Sequence, residues 1–126
     1  MLAREAIEDL KIDINLIIIK DGEQALAYLK RKGEFVSAIT PDLVLLDINI
    51  PKISGLDVLK EIKSNNQIKR TPVIILTTSS SEKDVSTAYK NHANCYIVKP
   101  NDADGLMHVV QAIRDFWFGL TELPTE

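Results

Sequence analysis

Three polar side chains of different chemistry each follow a short apolar run in the sequence. They are Asp47 after 43–46, Thr77 after 73–76 and Lys99 after 95–98. If the apolar runs are parallel strands, their carboxyl ends share one edge of a sheet and the three side chains converge there. A carboxylate, a hydroxyl and an ammonium at one edge suit a phosphoryl group better than a purely structural purpose.

The alternation of strand and helix patterns indicates how these side chains are positioned. Strands are expected at about 15–20, 43–46, 73–76 and 95–98, and helices at about 2–10, 22–32, 54–66, 79–91 and 101–120. Parallel strands need crossover connections, and right-handed crossovers place helices on both faces of the sheet. The sequence therefore predicts an α/β fold with a doubly wound parallel sheet.

Serine residues mark the predicted starts of two of these helices. Ser54 with Asp57 three residues later has the pattern of a capping box, and Ser79 with Glu82 offers a second N-terminal cap. The final helix is expected to begin at caps from Asn101 and Asp104 and to carry one long apolar stripe up to Leu120.

Composition limits the classes of protein to consider. The chain has 126 residues, of which 45% are hydrophobic, and this suits a single domain, 1–126, with its C-terminal helix and tail at about 102–126. The net charge of −3 without a basic stripe argues against direct nucleic-acid binding.

Apolar runs are far shorter than the roughly 20 residues that span a bilayer, and no signal-peptide pattern is present, so no membrane contact and a cytoplasmic location are expected. The single cysteine, Cys95, lies in an apolar run and is interpreted as a small buried hydrophobe.

The polar residues at the strand ends belong to a larger motif. Its members are Asp47, Asn49, Pro51, Gly55, Thr77, Tyr96, Lys99 and Pro100. With 30 residues from Asp47 to Thr77 and 22 from Thr77 to Lys99, the chain resembles the receiver domains of two-component response regulators. The tail, Asp115-Phe116-Trp117 with Leu123-Pro124 after it, looks most like the stand-alone receivers associated with phytochrome-type and related sensor kinases. The resemblance implies a flavodoxin-like sheet of strand order 2-1-3-4-5.

The resemblance also implies a role for each matching residue. Asp47 would be the phosphoacceptor for a phosphohistidine on a sensor histidine kinase, and with the backbone carbonyl of Asn49 it would bind Mg²⁺. Lys99 would pair with the carboxylate and then with the phosphoryl oxygens. Thr77 and Tyr96 would act as the switch. The protein would not be an enzyme in its own right.

Two further expectations follow from the same resemblance. The Lys99–Pro100 peptide bond would be cis and would help to aim the ammonium group. A downstream protein target would read the surface formed by the fourth predicted helix, the last strand and the last helix. The alternative interpretation of Tyr96 is a plain core or interface aromatic.

The sequence departs from the family pattern at its start, where the first strand and its acidic pair are missing. Four strands are therefore expected from this chain, with the Mg²⁺ site weakened or absent and phosphotransfer slowed or lost. The gap would be closed by pairing of 16–19 with 43–46, or by a second chain in a homodimer. A natural protein that is longer than this sequence also fits the pattern.

Two other functions fit parts of the sequence. A receiver-like binding module that takes no phosphate and associates constitutively is the alternative from another class. A flavodoxin-like cofactor binder is disfavoured, because no glycine-rich loop follows a strand to hold a phosphate. Taken singly, Asp47 and Thr77 also suit turns or helix caps, and Lys99 suits a solvated surface.

Overall fold

The structure is a computed structural model that describes residues 17–120 and residue 122. Residues 18–98 form one compact unit, and the described residues from Lys99 onward belong to a second. The elements are α1 Gly22–Leu29, a 3-10 turn Gly33–Phe35, β1 Val44–Leu46, α2 Gly55–Ser64, β2 Val73–Thr77, α3 Glu82–Lys90, β3 Cys95–Val98, α4 Ala103–Ile113 and a π-helical segment Arg114–Leu120. Within the described residues no helix is long and apolar enough to span a bilayer.

The three strands form one parallel sheet of order β1-β2-β3. Leu46 pairs with Ile75 in one ladder, and Thr77 pairs with Val98 in the other. Every residue of β2 is buried, as expected for a central strand covered on both faces. The predicted α/β parallel sheet with helical crossovers is therefore confirmed.

The prediction of four strands is wrong for the part of the chain described, which contains three. Residues 17–20 of the expected strand 15–20 have no strand conformation, and 15–16 lie outside the described residues. The sequence also predicted that 16–19 could pair with 43–46. Residue 16 lies outside the described residues, and 17–19 do not pair with β1, which among the described strands is hydrogen-bonded to β2 alone. The physical reason is that an extended segment without a neighbour has no ladder of hydrogen bonds to stabilise it.

The core of the larger unit lies between the sheet and one face of α2. Val58, Leu59 and Ile62 of this helix are fully buried, at the i, i+1, i+4 spacing of a helical face. The helix begins at Ser54, whose Oγ accepts a hydrogen bond from the backbone N–H of Asp57 at 3.3 Å. The predicted cap at Ser54 is confirmed.

The ammonium group of Lys63 links three segments at the amino-terminal end of β2. Its Nζ donates to the carbonyl oxygens of Lys69 at 3.1 Å and Thr71 at 2.9 Å, and to Oδ1 of Asn94 at 3.1 Å. Asn94 Oδ1 also accepts from the backbone N–H of Val73 at 2.8 Å. Burial lowers the pKa of Lys63, because desolvation disfavours the charged form. This end of the sheet is held by polar contacts and lies opposite the end that carries Thr77.

The second unit contains the predicted C-terminal helix. Its α-helical part, α4, has Asp102 as its N-cap, and the side chain of Asp102 accepts from the backbone N–H of Gly105. The predicted caps Asn101 and Asp104 are therefore wrong. Asp102 has the extended backbone of an N-cap and stands three residues before its donor. The predicted stripe is buried at Leu106, but Leu120 is 80% exposed in the π-helical segment.

Candidate functional site

Asp47 and Thr77 are brought together at the carboxyl ends of two neighbouring parallel strands. Asp47 directly follows β1, and Thr77 is the last residue of β2. The hydroxyl Oγ1 of Thr77 donates to Oδ1 of Asp47 at 2.8 Å. Thr77 is fully buried, while Asp47 is half-buried. The carboxylate thus accepts a hydrogen bond from a buried hydroxyl and is itself partly accessible at the edge of the sheet.

The same carboxylate oxygen is oriented by the chain that follows it. The backbone N–H of Asn49 donates to Oδ1 of Asp47 at 2.9 Å, and this local turn fixes the direction of the side chain. Thr77 and Asn49 therefore converge on one oxygen from two different segments. Asn49 itself is exposed at the start of the loop that leads to α2.

Helix α2 begins in direct contact with the backbone at Asp47. The backbone N–H of Gly55 donates to the carbonyl oxygen of Ile48 at 2.9 Å. A Cβ atom at Gly55 would lie 2.1 Å from the carbonyl oxygen of Asp47 and 2.7 Å from Cα of Ile48. Because no side chain fits in that space, glycine is required at position 55 for the helix to approach the site.

A tight turn in the loop 48–54 packs against the start of α1. The carbonyl oxygen of Pro51 accepts from the backbone N–H of Ile53 at 2.9 Å and from that of Gly22 at 3.0 Å. Lys52, which lies between Pro51 and Ile53 in the chain, has φ of 71°. This i to i+2 hydrogen bond with positive φ describes a γ-turn, a rare and strained conformation. A Cβ at Gly22 would lie 2.1 Å from the carbonyl oxygen of Ile53. The loop that carries Asn49 is therefore fixed by a helix start distant in sequence.

Sequence reasoning missed the contribution of Gly22 and Lys52 to the site. Asp21 and Gly22 read as a simple turn before a helix, and nothing in the pattern around Lys52 distinguishes a γ-turn from other turns. Lys52 Nζ also lies 3.8 Å from Oδ2 of Asp21, the N-cap of α1. A glycine at the first position of a helix was the available signal, since it indicates a close approach of another segment.

Tyr96 lies in β3 and contacts the loop after Thr77. Its hydroxyl donates to the carbonyl oxygen of Ser79 at 2.8 Å, and its ring packs against the core of the larger unit. Its backbone N–H donates to the hydroxyl of Tyr89 in α3 at 3.2 Å. Tyr96 is thus half-buried and tied to the segment that leaves the site.

The predicted helix cap at Ser79 is wrong. The N-cap of α3 is Ser81, whose Oγ accepts from the backbone N–H of Asp84 at 3.3 Å. Ser79 instead donates its hydroxyl to Oδ2 of Asp84 at 2.6 Å. The run of serines at 79–81 offers equivalent hydroxyl groups, and the position of the helix start selects Ser81 among them.

Lys99 is the residue that directly follows β3, and it is half-buried. It belongs to the second compact unit, and its ion pair with the carboxylate of Asp47 stays a prediction. The expected cis bond before Pro100 is wrong, because the peptide bonds of the described residues are all trans.

The predicted ligands of a divalent cation, the carboxylate of Asp47 and the main-chain carbonyl of Asn49, belong to residues two apart in the chain at this edge, and their role as ligands stays a prediction. Both are of the type that Mg²⁺ prefers, and this ion keeps several waters when few protein ligands are present. Residues 17–120 contain no group of three or more His, Cys, Asp or Glu side chains that would hold a metal by themselves. The predicted absence of an acidic pair concerns positions before residue 17, outside the described residues.

Comparison with known proteins agrees with this architecture. The response regulator Rcp1 of Synechocystis sp. is 44% identical over 123 residues, which are 98% of this chain and 84% of Rcp1. The crystal structure of the phosphorylated cyanobacterial phytochrome response regulator RcpA has a TM-score of 0.94 and 41% identity, covering 98% of this chain and 89% of RcpA. The Mn²⁺-bound form of Rcp1 gives a TM-score of 0.92 and 44% identity, with coverage of 98% and 89%.

The family model for the response regulator receiver domain matches residues 1–111, and the chain belongs to this family. The resemblance predicted from the motif, including the similarity to phytochrome-associated receivers, is confirmed. The flavodoxin-like receiver fold is confirmed as well. Receiver domains are signalling modules, and the Mn²⁺-bound relative is an example of a divalent cation held by a member of the family.

Proposed function

We propose that this receiver accepts a phosphoryl group on Asp47 from a phosphohistidine of a sensor histidine kinase and signals by protein contact. The observation that carries the proposal is the hydrogen bond from Thr77 Oγ1 to Asp47 Oδ1, at the carboxyl ends of two adjacent parallel strands. Membership of the receiver family supports it. The proposal includes a cytoplasmic location, a homodimer, a downstream protein target and no enzymatic turnover of its own.

The transfer itself requires one bond to form and one to break. A carboxylate oxygen of Asp47 attacks phosphorus, the phosphorus–nitrogen bond of the phosphohistidine breaks, and its electron pair stays on the imidazole. Thr77 then donates its hydroxyl to a phosphoryl oxygen in place of the carboxylate. Lys99 pairs with the same group through its ammonium.

The carboxylate of Asp47 and the main-chain carbonyl of Asn49 would hold Mg²⁺. When bound, the ion neutralises charge between the carboxylate and the incoming phosphoryl oxygens.

Phosphorylation would change the segment that connects Thr77 with Tyr96. The new group brings a charge of about −1.5 to −2 and three acceptor oxygens. Movement of Thr77 toward it displaces the chain at 78–79, whose carbonyl oxygen at Ser79 holds the hydroxyl of Tyr96. The surface of α3 and β3 is then altered, and partners read that change.

Incubation with acetyl phosphate and Mg²⁺, followed by intact mass measurement, tests the proposal. The parent protein should gain one phosphoryl group, and the isosteric Asp47→Asn variant should gain none. If the parent stays unmodified under conditions that phosphorylate a known receiver, the proposal is wrong and the chain acts as a binding module that associates constitutively. Size-exclusion chromatography of the same samples tests the homodimer.

A further inference from the structure

A cavity of about 490 Å³ opens at the amino-terminal end of β2, where the side chain of Asn94 contacts Val73. Proteins bind small ligands in cavities of about 300–1,000 Å³. All of the lining side chains are polar, and they are Lys63, Lys69, Arg70, His92 and Asn94. None of these described residues is an acid, although the whole chain has a net charge of −3. The composition of the lining is that of an anion site.

Three of the lining side chains have no partner in the part of the chain that the structure describes. The ammonium of Lys69, the guanidinium of Arg70 and the imidazole of His92 are exposed and form no hydrogen bond or ion pair there. Like charges that are gathered without a counter-charge repel one another. A bound anion would relieve this repulsion, and the donors of these side chains are available to hold it.

Lys63 and Asn94 supply a fixed part of the lining. The three hydrogen bonds of Lys63 Nζ use all three of its protons, so this residue contributes positive charge rather than a further donor. The side-chain oxygen of Asn94 accepts from Lys63 at 3.1 Å and from the backbone N–H of Val73 at 2.8 Å. These two bonds orient the amide, whose Nδ2 group has no partner among the described residues. Asn94 therefore offers two N–H donors in a set direction.

His92 occupies a position where glycine usually ends a helix. Its φ is 69°, and its backbone N–H donates to the carbonyl oxygen of Tyr89 at 3.0 Å. The N–H of Ala93 donates to the carbonyl oxygen of Ala88 at 3.0 Å, which completes a Schellman motif after α3. A Cβ atom in this left-handed conformation is strained, so the imidazole is present at the cavity at a cost in backbone energy. It adds a further N–H donor to the lining.

We propose that this cavity binds a compact anion of the phosphate class, such as pyrophosphate, through the three unpartnered side chains and the Nδ2 group of Asn94. Guanidinium and ammonium groups are common partners of phosphate oxygens. A tetrahedral group presents its oxygens to donors from separate segments, whereas a carboxylate has two oxygens in one plane. The bound anion would join loop 65–72 to the turn before β3. Since the cavity and Asp47 lie at opposite ends of β2, the inference does not depend on the proposed function.

Titration with inorganic pyrophosphate, followed by NMR of the backbone amides, tests the site. EDTA is included, because free Mg²⁺ would bind pyrophosphate and carry it to Asp47. In the parent, the amides of 69–70 and 92–94 should shift with a single dissociation constant, while those of Asp47 and Asn49 stay in place. Malonate, a dicarboxylate, should bind about tenfold more weakly. Shifts centred on Asp47, or equal affinity for malonate, overturn the proposal.

Two double variants with the same change of net charge distinguish a site from general attraction to cations. Lys69→Gln with Arg70→Gln removes two lining cations and should weaken pyrophosphate binding about tenfold, the loss expected for charged hydrogen bonds. Lys60→Gln with Lys83→Gln alters exposed residues outside the lining and should stay within about twofold of the parent, because salt screens distant charges. Equal affinities of the two double variants contradict a site in this cavity.

Replacement of His92 by glycine tests the imidazole without adding strain to the backbone. Glycine suits the left-handed conformation, so the urea midpoint of His92→Gly should equal or exceed that of the parent. Its affinity for pyrophosphate should fall about fivefold, as expected for the loss of one hydrogen bond. Parent-like affinity of this folded variant refutes the set of donors proposed for the anion.

Discussion

Replacement of Gly55 by alanine tests how closely α2 approaches the candidate site. The added Cβ would lie 2.1 Å from the carbonyl oxygen of Asp47, where real Cβ atoms essentially never come closer than 3.0 Å, so one of the two segments must move by about an ångström. The neighbouring atoms are backbone, and they cannot yield as the end of a flexible side chain does. Overpacking of this kind destabilises by about 1–3 kcal/mol, and the value here should be near the upper limit.

The higher helix propensity of alanine offsets at most about 1 kcal/mol of this effect. The free energy of unfolding of Gly55→Ala should therefore fall by about 2 kcal/mol relative to the parent, measured by urea denaturation with an unchanged slope. Gly119→Ala is the control, because a Cβ there meets no atom within 4 Å, and it should remain within about 0.5 kcal/mol of the parent. Equal stability of Gly55→Ala and the parent would show that α2 and the backbone of Asp47 can separate at little cost, and would contradict the close approach.

Three further predictions concern other side chains of the larger unit. Thr77→Val should lower the free energy of unfolding by about 1 kcal/mol through loss of the bond to Asp47, and Thr77→Ser should recover most of it; equal stability of all three proteins in urea contradicts this. Lys63→Met should destabilise by about 1–2 kcal/mol because three acceptors lose their donor, whereas Lys60→Met on the exposed side of the same helix should be neutral in the same assay. Burial raises the pKa of Cys95, so less thiolate is present at a given pH. Iodoacetamide should therefore react more slowly with the folded protein than with the urea-unfolded protein at pH 8. Equal rates in the two states would contradict the burial of the thiol.

Sequence reasoning was most successful where the signal is local. The runs that became β1, β2 and β3 are short, apolar and bounded by turn residues, and these features do not depend on what lies nearby. Parallel strands place their carboxyl ends at one edge, so the meeting of Asp47 and Thr77 follows from topology alone. The expected strand 15–20 had an equally apolar pattern, but a strand also needs a neighbour, and residues 17–20 have none among the described strands.

The features that sequence did not predict depend on approaches between distant segments. The requirement for glycine at positions 22 and 55 arises from backbone atoms of other elements, which no local pattern contains. The N-cap of α3 is Ser81 and not the predicted Ser79. The serines at 79–81 are chemically equivalent, and they differ only in which group of Asp84 each one contacts in the folded chain. Positive φ at Lys52 likewise depends on contacts of its loop with the start of α1.

The most direct test of the central claim is chemical identification of the phosphorylated residue. Protein treated with acetyl phosphate and Mg²⁺ is reduced with borohydride, which converts an aspartyl phosphate to homoserine, and the peptides are sequenced by mass spectrometry. We expect homoserine at position 47 in the parent and a much lower yield in Thr77→Val, which lacks the hydroxyl that contacts the carboxylate. Homoserine at another aspartate, or at none, would contradict it.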